Sequence, residues 1–369
     1  MPYPKFDRSR LSIKKLAERK NKVDIEKDHV SADSLPSDIA KEEQHIINIT
    51  AERIRLARKY NHPVIMAFGA HMIKNGLAPV LNALMEDGWI THLATNGAGI
   101  IHDWEFAFQG KSSEDVRENI EKGQFGIWEE TGFYINLGLI VGAYEGLGYG
   151  ESIGKMIFRE GLQIPEIHEL HDLVLKNIEI NPELAASAAD LSGVIRKFGL
   201  KAGYMHIPHP FNNYSVQSKA FSLGIPLTGH PMMGHDIIYT HPMNHGAAIG
   251  RTALNDFLSF AEAISNIDNG VYISLGSAVM SPMIFEKSFS MARNVWLKEN
   301  RHIDNHFILV VDLAKSEWDW KKDGEPASDN PAYYLRYCKT FSRMGGEMHY
   351  LSADNRNFLL ALYRELNQK

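Results

Sequence analysis

The sequence predicts an α/β protein with a doubly wound, mostly parallel sheet and helices on both faces. Short apolar runs typical of buried strands alternate along the chain with amphipathic helical segments. Several of these runs end in small or polar residues, and parallel sheets bind their ligands at the carboxyl ends of their strands. No linker interrupts residues 41–369, so we expect a single α/β domain there.

The elements follow from charge and apolar periodicity, taken in chain order. Residues 1–40 are rich in charge and predict an N-terminal arm with one short helix over residues 12–20. Helical spacing of apolar residues predicts helices over residues 42–60 and 73–87. Apolar runs predict strands at residues 64–69, 90–95, 202–207, 270–275, 307–313 and 347–351.

Composition excludes several classes of protein. The chain has 369 residues and a net charge of -6, which argues against a partner nucleic acid held by general electrostatics. Its one cysteine, Cys338, fits a reducing compartment. No apolar stretch has the length of a membrane span or of a secretion signal. We therefore expect a soluble, cytoplasmic protein with no nucleic-acid or membrane partner.

The glycines that follow predicted strands allow two interpretations. Gly97 and Gly99 follow the run at 90–95, and Gly276 follows the run at 270–275. Glycine lets backbone N–H groups approach a phosphate, and it also serves in tight strand-to-helix turns. The G-x-G-x-x-G fingerprint of dinucleotide-binding turns is absent from the sequence.

A histidine-rich span over residues 229–246 offers a second kind of site. Histidines together with Asp236 suit zinc, but the sequence has no H-E-x-x-H motif and no glutamate beside the histidines. We therefore expect no metal, and we interpret His235 and His241 as loop residues that contact a substrate. A metal-dependent hydrolase or lyase built on residues 206–245 stays as the alternative.

Lys339 is the third candidate, because it follows an aromatic stretch that includes Tyr333 and Tyr337. A lysine amine is a poor nucleophile while it is protonated, with an ordinary pKa near 10.4. Contact with the tyrosines and Cys338, and repulsion from Arg336, are expected to lower the pKa of Lys339. A neutral amine could then form an imine with a substrate.

Several segments resemble the deoxyhypusine synthase family. Residues 64–76 and 95–103 are similar to its cofactor region, which has G-Y-x-S-N-x-x-S-G and T-A-G-G-V-E-E-D stretches. Residues 331–339 keep the interval from proline to lysine in the family's P-D-E-A-V-S-W-G-K stretch. The likeness is collinear over about residues 45–369 and also includes residues 224–226, 275–279, 323–324 and 353–354.

The resemblance implies a Rossmann-like deoxyhypusine synthase fold, bound NAD and a homotetramer. It also implies that Lys339 forms the imine with an aminobutyl group. The residues implied to contact NAD, with Asp236 as a looser candidate, are Thr95, Asn96, Gly97, Gly99, Asp236, Gly276, Ser277, Asp323 and Asp354.

Some family residues are replaced in this chain. Tyr333 stands where the family has a substrate-binding glutamate, and Tyr337 stands where it has a tryptophan. A histidine and an acidic residue of the family fall on Pro282 and Pro326, and a cofactor-region glutamate falls on His102. Since anionic groups that would hold a polycation are lost, Tyr333 and Tyr337 are expected to contact a donor less charged than spermidine.

These observations predict an NAD-dependent transferase that oxidises an amine to an imine and passes the alkylamine group to an acceptor amine. True deoxyhypusine synthesis is not expected. A related interpretation replaces the lysine carrier with direct transfer to a small amine, which would make a polyamine-forming enzyme. A catalytically silent homologue, retained for assembly, is a further alternative.

Overall fold

The computed structural model describes residues 3–37, 39–320 and 322–368. Met1, Pro2 and Asp38 of the predicted arm lie outside the described residues. The described chain divides into two compact units, and the predicted boundary near residue 40 lies within the second of them. The single catalytic domain over 41–369 stays a prediction. Unit 1 is Met1–Lys27, Ile100–Ser218 and Pro231–Asn255, and unit 2 is Asp28–Gly99, Lys219–His230 and Asp256–Lys369.

The regular elements of the described residues are as follows. The strands are β1 (Asn21–Asp24), β2 (Val64–Phe68), β3 (His92–Asn96), β4 (Lys111–Glu114), β5 (Gly161–Ile164), β6 (Gly203–His206), β7 (Leu227–His230), β8 (Val271–Leu275), β9 (Phe307–Asp312) and β10 (Glu347–Ser352). The α-helices are α1 (Ile25–Asp28), α2 (Lys41–Lys59), α3 (His71–Lys74), α4 (Ala78–Glu86), α5 (Gly97–Gln109), α6 (Val116–Glu121), α7 (Glu129–Glu145), α8 (Tyr149–Arg159), α9 (Ile167–Asn177), α10 (Pro182–Phe198), α11 (Val216–Leu223), α12 (Gly246–Ser265), α13 (Met280–Lys298), α14 (Arg336–Ser342) and α15 (Asn355–Asn367).

Unit 2 is built on a parallel sheet of six strands in the order β10-β9-β8-β2-β3-β7. Numbered by their order along the chain, these strands read 6-5-4-1-2-3, which is the order of the doubly wound dinucleotide-binding sheet. The predicted strands at 64–69, 270–275, 307–313 and 347–351 are confirmed, and the run at 90–95 forms β3 from His92 onward. Strand β7 was not predicted.

Helices cover both faces of this sheet. Ile65, Tyr272 and Ile308 point to one face, where they join a buried cluster with Phe285 of α13 and Phe341 of α14. Side chains alternate along a strand, so their neighbours point to the opposite face, where α2 contacts β2, β8 and β10. The predicted α/β fold class is therefore confirmed.

In unit 1 one predicted strand is confirmed but lies outside the parallel sheet, and one predicted helix is wrong. Residues 202–207 do form a strand, β6, but it pairs antiparallel with β5 and belongs to a two-stranded sheet. The predicted helix at 12–20 is only a 3-10 turn, Leu16–Glu18. Its backbone is bound elsewhere instead, since the Lys14 N–H donates to the Ile127 carbonyl at 3.4 Å and the Leu16 N–H donates to Glu130 at 2.6 Å.

The helix predicted at 73–87 is interrupted in unit 2. Gly76 has a positive φ of 74°, and its carbonyl accepts a hydrogen bond from the Val30 N–H at 2.9 Å. The chain therefore leaves α3 and starts α4 at Ala78. The helix predicted at 42–60 is confirmed as α2. None of the described helices is both long and apolar enough to cross a membrane.

Candidate functional site at the carboxyl edge of the sheet

The strand order of unit 2 reverses between β2 and β8, and a glycine follows each of these strands. The Gly69 N–H donates to the Leu275 carbonyl at 3.2 Å. A Cβ added to Gly69 would lie 2.3 Å from the carbonyl oxygen of Gly276, and Gly276 itself has a φ of 56°. Both positions therefore require glycine, one for close backbone approach and one for its left-handed conformation.

Asp354 and Asn355 follow β10 at the same edge of the sheet. The Asp354 carboxylate is exposed and accepts hydrogen bonds from the N–H groups of Arg356 and Asn357, at 3.0 Å and 3.2 Å. It thus caps α15. A Cβ added to Gly276 would lie 2.7 Å from Nδ2 of Asn355, so the structure brings residues after β8 and β10 together.

The predicted cofactor residues after β3 are engaged in local structure. Thr95 is 2% exposed, and its hydroxyl donates to the Phe68 carbonyl at 3.0 Å. A Cβ added to Gly99 would lie 2.2 Å from that hydroxyl, which explains the glycine at this position. The Asn96 side chain accepts a hydrogen bond from the Gly99 N–H at 2.9 Å, and buried Gly97 begins α5. Contact of these residues with NAD stays a prediction.

Ser277 and Asp323 differ in their surroundings. The Ser277 hydroxyl is nearly buried and accepts a hydrogen bond from the Ser281 N–H at 3.2 Å, in the first turn of α13. Asp323 is exposed in the segment between β9 and α14, where its N–H donates to the Asp319 carbonyl at 2.8 Å. The predicted contacts of Ser277 and Asp323 with NAD stay predictions.

Lys339 lies on α14 in a polar environment, and the predicted lowering of its pKa is wrong. Its Nζ is 3.6 Å from the ring centroid of Tyr333 and 2.9 Å from the Glu325 carboxylate, with 16% of the side chain exposed. Two hydrogen bonds raise the pKa of Lys339 above its usual range. The one with Tyr333 has the larger effect, and the one with Glu325 has the next largest. The resting lysine is therefore charged.

Glu325 is not among the site residues that the sequence predicts. The resemblance to deoxyhypusine synthases places that family's acidic residue at Pro326 instead. The Glu325 carboxylate also accepts two hydrogen bonds from Arg343, at 2.8 Å and 2.9 Å. Hydrogen bonds from Lys339 and Arg343 lower the pKa of Glu325, so it is ionised. An acidic residue one position before Pro326 was the available signal.

Tyr337 and Cys338 lie in the first turn of α14. Burial raises the pKa of the Tyr337 hydroxyl, which lies beside Tyr350, and burial also raises the pKa of the Cys338 thiol. Asp312, the last residue of β9, contributes to both shifts. The first turn of α14 is thereby placed near the carboxyl end of β9, on the same edge of the sheet as the glycines.

His235, Asp236 and His241 lie in unit 1, and each unit is described by itself. His235 is exposed, whereas His241 is 4% exposed and its Nδ1 accepts a hydrogen bond from the Met243 N–H at 3.0 Å. Burial lowers the pKa of His241, and burial raises the pKa of Asp236 to about 6. Among the described residues, no group of three or more His, Cys, Asp or Glu side chains could hold a metal ion.

Strand β7 carries a buried histidine that the sequence assigned to a loop. Nε2 of His230 and Nε2 of His92 lie 2.9 Å and 3.1 Å from the hydroxyl of Thr228. Burial lowers the pKa of His230 to about 3 and that of His92 to about 4, so both imidazoles are neutral near pH 7. The pair belongs to the interior of unit 2.

Comparisons with known proteins leave the family open. No protein-family model matches the chain, and neither does any curated protein, so the resemblance to deoxyhypusine synthases stays a prediction. Among solved structures the chain is similar to ArgZ, an arginine dihydrolase from the ornithine-ammonia cycle in Cyanobacteria, with 14% identity over 88% of this chain and 33% of that chain and a TM-score of 0.41.

Two further solved structures show a likeness of the same size. A conserved putative LOR/SDH protein from Methanococcus maripaludis S2 is 13% identical over 90% of this chain and 70% of that chain, with a TM-score of 0.41. AgrE in a ternary complex with ornithine and NAD+ is 13% identical over 89% of this chain and 34% of that chain, with a TM-score of 0.44. The chain spans about a third of the length of ArgZ and AgrE, and likenesses with TM-scores of 0.41–0.44 carry no inference about its activity.

Proposed function

We propose that this protein is an NAD-dependent enzyme that oxidises an amine to an imine and transfers the alkylamine group to an acceptor amine. One observation carries the proposal. The strand order reverses between β2 and β8, where Gly69 and Gly276 bring two backbones together. In doubly wound sheets, ligands bind in the crevice outside the carboxyl ends of the strands at this reversal.

The residues at this edge fit a dinucleotide. Gly69 and Gly276 let the ends of β2 and β8 lie close together at the point where the strand order reverses. The buried Oδ1 of Asn355 has no hydrogen-bond partner among the described residues and can accept a hydrogen bond from a ligand. Bound NAD would take a hydride from the amine carbon and later return it, without net consumption.

Lys339 is the proposed carrier of the alkyl group. A terminal ammonium group of the donor, distinct from the amine nitrogen that is oxidised, replaces Lys339 at Glu325, which removes one of the two contacts that raise the pKa of the lysine. The proton of Lys339 leaves to solvent, and neutral Nζ bonds to the imine carbon. The carbon–nitrogen bond to the rest of the donor then breaks, and that part leaves as an amine with a proton.

The charges around Glu325 support a donor with few charges. One carboxylate is paired with both Lys339 and Arg343, so the cluster carries one net positive charge. A polycation would meet this excess charge, whereas a donor with one ammonium group could replace a partner of Glu325. An amine screen in which spermidine proves the best donor would contradict this part of the proposal.

Direct transfer to a small amine is the second candidate, and the raised pKa of Lys339 favours it. A lysine that stays charged cannot attack an imine carbon. Lys339 would then position the substrate next to Tyr333, and the acceptor amine would attack directly.

Borohydride reduction in the presence of NAD and a panel of amines tests the proposal. A trapped adduct on the peptide that contains Lys339, with loss of transfer in Lys339→Arg, supports the carrier mechanism. Transfer that survives in Lys339→Arg supports direct transfer. Lys219→Arg is the matched control, because Lys219 also pairs with a carboxylate, that of Glu86, but is not a proposed carrier. A protein that binds no NAD in calorimetry refutes the proposed function.

Two further parts of the proposal need their own measurements. Self-association as a homotetramer, which the resemblance implies, is checked by light scattering. Zinc near one ion per chain, together with no NAD binding, would support the metal-dependent hydrolase or lyase instead. NAD binding without oxidation of any amine in the panel would support the catalytically silent homologue.

A further inference from the structure

Asn355 occupies a position at the edge of the sheet that neither the periodicity nor the family resemblance assigned. It is the first residue of α15, directly after Asp354. The Asp354 carboxylate is committed to two backbone N–H groups of the same helix. The side chain that faces Gly276 is therefore that of Asn355, whose Nδ2 lies 2.7 Å from the place of a Cβ on Gly276.

The side-chain amide of Asn355 lies against the backbone of Gly276, which is held in place by its own contacts. Gly276 has a φ of 56°, and its N–H donates to the Val311 carbonyl at 2.9 Å. Its carbonyl oxygen also limits the space at Gly69, 2.3 Å from a Cβ added there. The amide is thus held over the point where the strand order reverses, and its position depends on the absence of a side chain at Gly276.

The oxygen of this amide is an unused acceptor. Oδ1 of Asn355 is buried, and no donor reaches it from the described residues. A buried acceptor without a donor is unfavourable, and such groups in folded proteins are nearly always paired. By contrast, Oδ1 of Asn357, on the same helix, accepts a hydrogen bond from the Ser37 N–H at 3.1 Å.

We propose that Asn355 is a specificity-determining residue whose Oδ1 accepts a hydrogen bond from the nicotinamide mononucleotide half of the cofactor. This inference rests on the proposed function. Each half of such a sheet binds one mononucleotide, and the half that starts with the first strand takes the adenosine ribose. Asn355 and Gly276 belong to the other half, formed by β8, β9 and β10. The group that donates is neutral, a ribose hydroxyl or a carboxamide N–H.

Calorimetric titration of the full-length protein with NAD, nicotinamide mononucleotide and AMP tests the inference. Asn355→Ala should lower the affinity for NAD about 2- to 12-fold, which is the range for one neutral hydrogen bond. It should lower the affinity for nicotinamide mononucleotide by a similar factor. The affinity for AMP should not change. Asn357→Ala, the matched control, should leave all three affinities unchanged.

A second measurement separates ligand recognition from a structural role. Because Oδ1 of Asn355 has no donor in the described protein, Asn355→Ala should unfold at the same urea concentration as the unmodified protein or a higher one. Asn357→Ala should unfold at a lower one, since it loses a hydrogen bond. A ligand-free protein that is destabilised by Asn355→Ala, with an unchanged affinity for NAD, would make Asn355 structural and overturn the inference.

The remaining outcomes are also distinct. Unmodified protein that binds NAD, with equal affinity in Asn355→Ala, overturns the inference alone and leaves the proposed function standing. If Asn355→Ala lowers the affinity for AMP alone, Asn355 contacts the adenosine half of the cofactor, and the inference is overturned. Unmodified protein that binds no NAD overturns both.

Discussion

Replacing Gly69 with alanine tests the backbone approach on which the proposed function depends. The added Cβ would lie 2.3 Å from the carbonyl oxygen of Gly276 and 3.3 Å from its carbonyl carbon. Carbon and oxygen atoms in close contact stay about 3.3 Å apart or more, so one of the two backbones must move by about 1 Å. Gly69 is buried at the end of a fully buried strand, β2, which makes such a movement costly.

The magnitude follows from the nature of the clash. Gly69 does not have a positive φ, so alanine is not strained there by its own conformation and the cost is steric. Overpacking of this kind lowers the free energy of unfolding by about 1–3 kcal/mol. The same movement displaces the Gly276 carbonyl and the Asn355 amide beside it, so we expect Gly69→Ala to weaken NAD binding as well.

Urea unfolding followed by tryptophan fluorescence measures the first effect, and calorimetry measures the second. Gly88→Ala is the matched control in the same unit. Gly88 has a φ of 75°, and in the described structure nothing lies within 4 Å of an added Cβ. Alanine in that left-handed conformation costs about 1–2 kcal/mol and should not affect NAD. A Gly69→Ala protein as stable as the unmodified one, and with equal NAD affinity, would refute the close approach.

Three further predictions address the acidic residues. Asp354→Ala removes the cap of α15 and should lower the free energy of unfolding by about 1 kcal/mol in urea, whereas Asp354→Ser should retain most of it. Glu325→Gln should lower the pKa of Lys339, which is measured as faster acylation of that lysine near pH 8; an unchanged rate would show that the ion pair does not hold the proton. Burial raises the pKa of Asp236 from 3.8 to about 6, so the folded protein keeps a proton that the unfolded chain loses, and this contribution to stability is lost as the pH rises through 4 to 6. The difference in urea stability between Asp236→Asn and the unmodified protein should therefore grow in favour of the variant across that window, and a constant difference would contradict it.

Strands were predictable where burial on both faces makes the sequence continuously apolar. Strands β2, β8 and β9 are of this kind, and an apolar run is enough to find them. Strand β7 is the sequence Leu-Thr-Gly-His, which has one apolar side chain. It is held at the edge of the sheet by pairing with β3 and by the contact of Thr228 with His92, and both depend on residues far away in the chain. The local pattern of apolar residues cannot indicate which distant residues β7 contacts.

The charge state of Lys339 was unpredictable for the same physical reason. The sequence places tyrosines around this lysine, and treating them as apolar contacts predicts a lowered pKa. A tyrosine also has a hydroxyl, and the hydrogen bond with Tyr333 together with that of Glu325 shifts the pKa in the opposite direction. Glu325 comes from the segment between β9 and α14, whose path no local pattern specifies. If Lys339 is the carrier, its reactivity therefore depends on what replaces it at Glu325, and a donor without an ammonium group should leave the lysine protonated and unreactive.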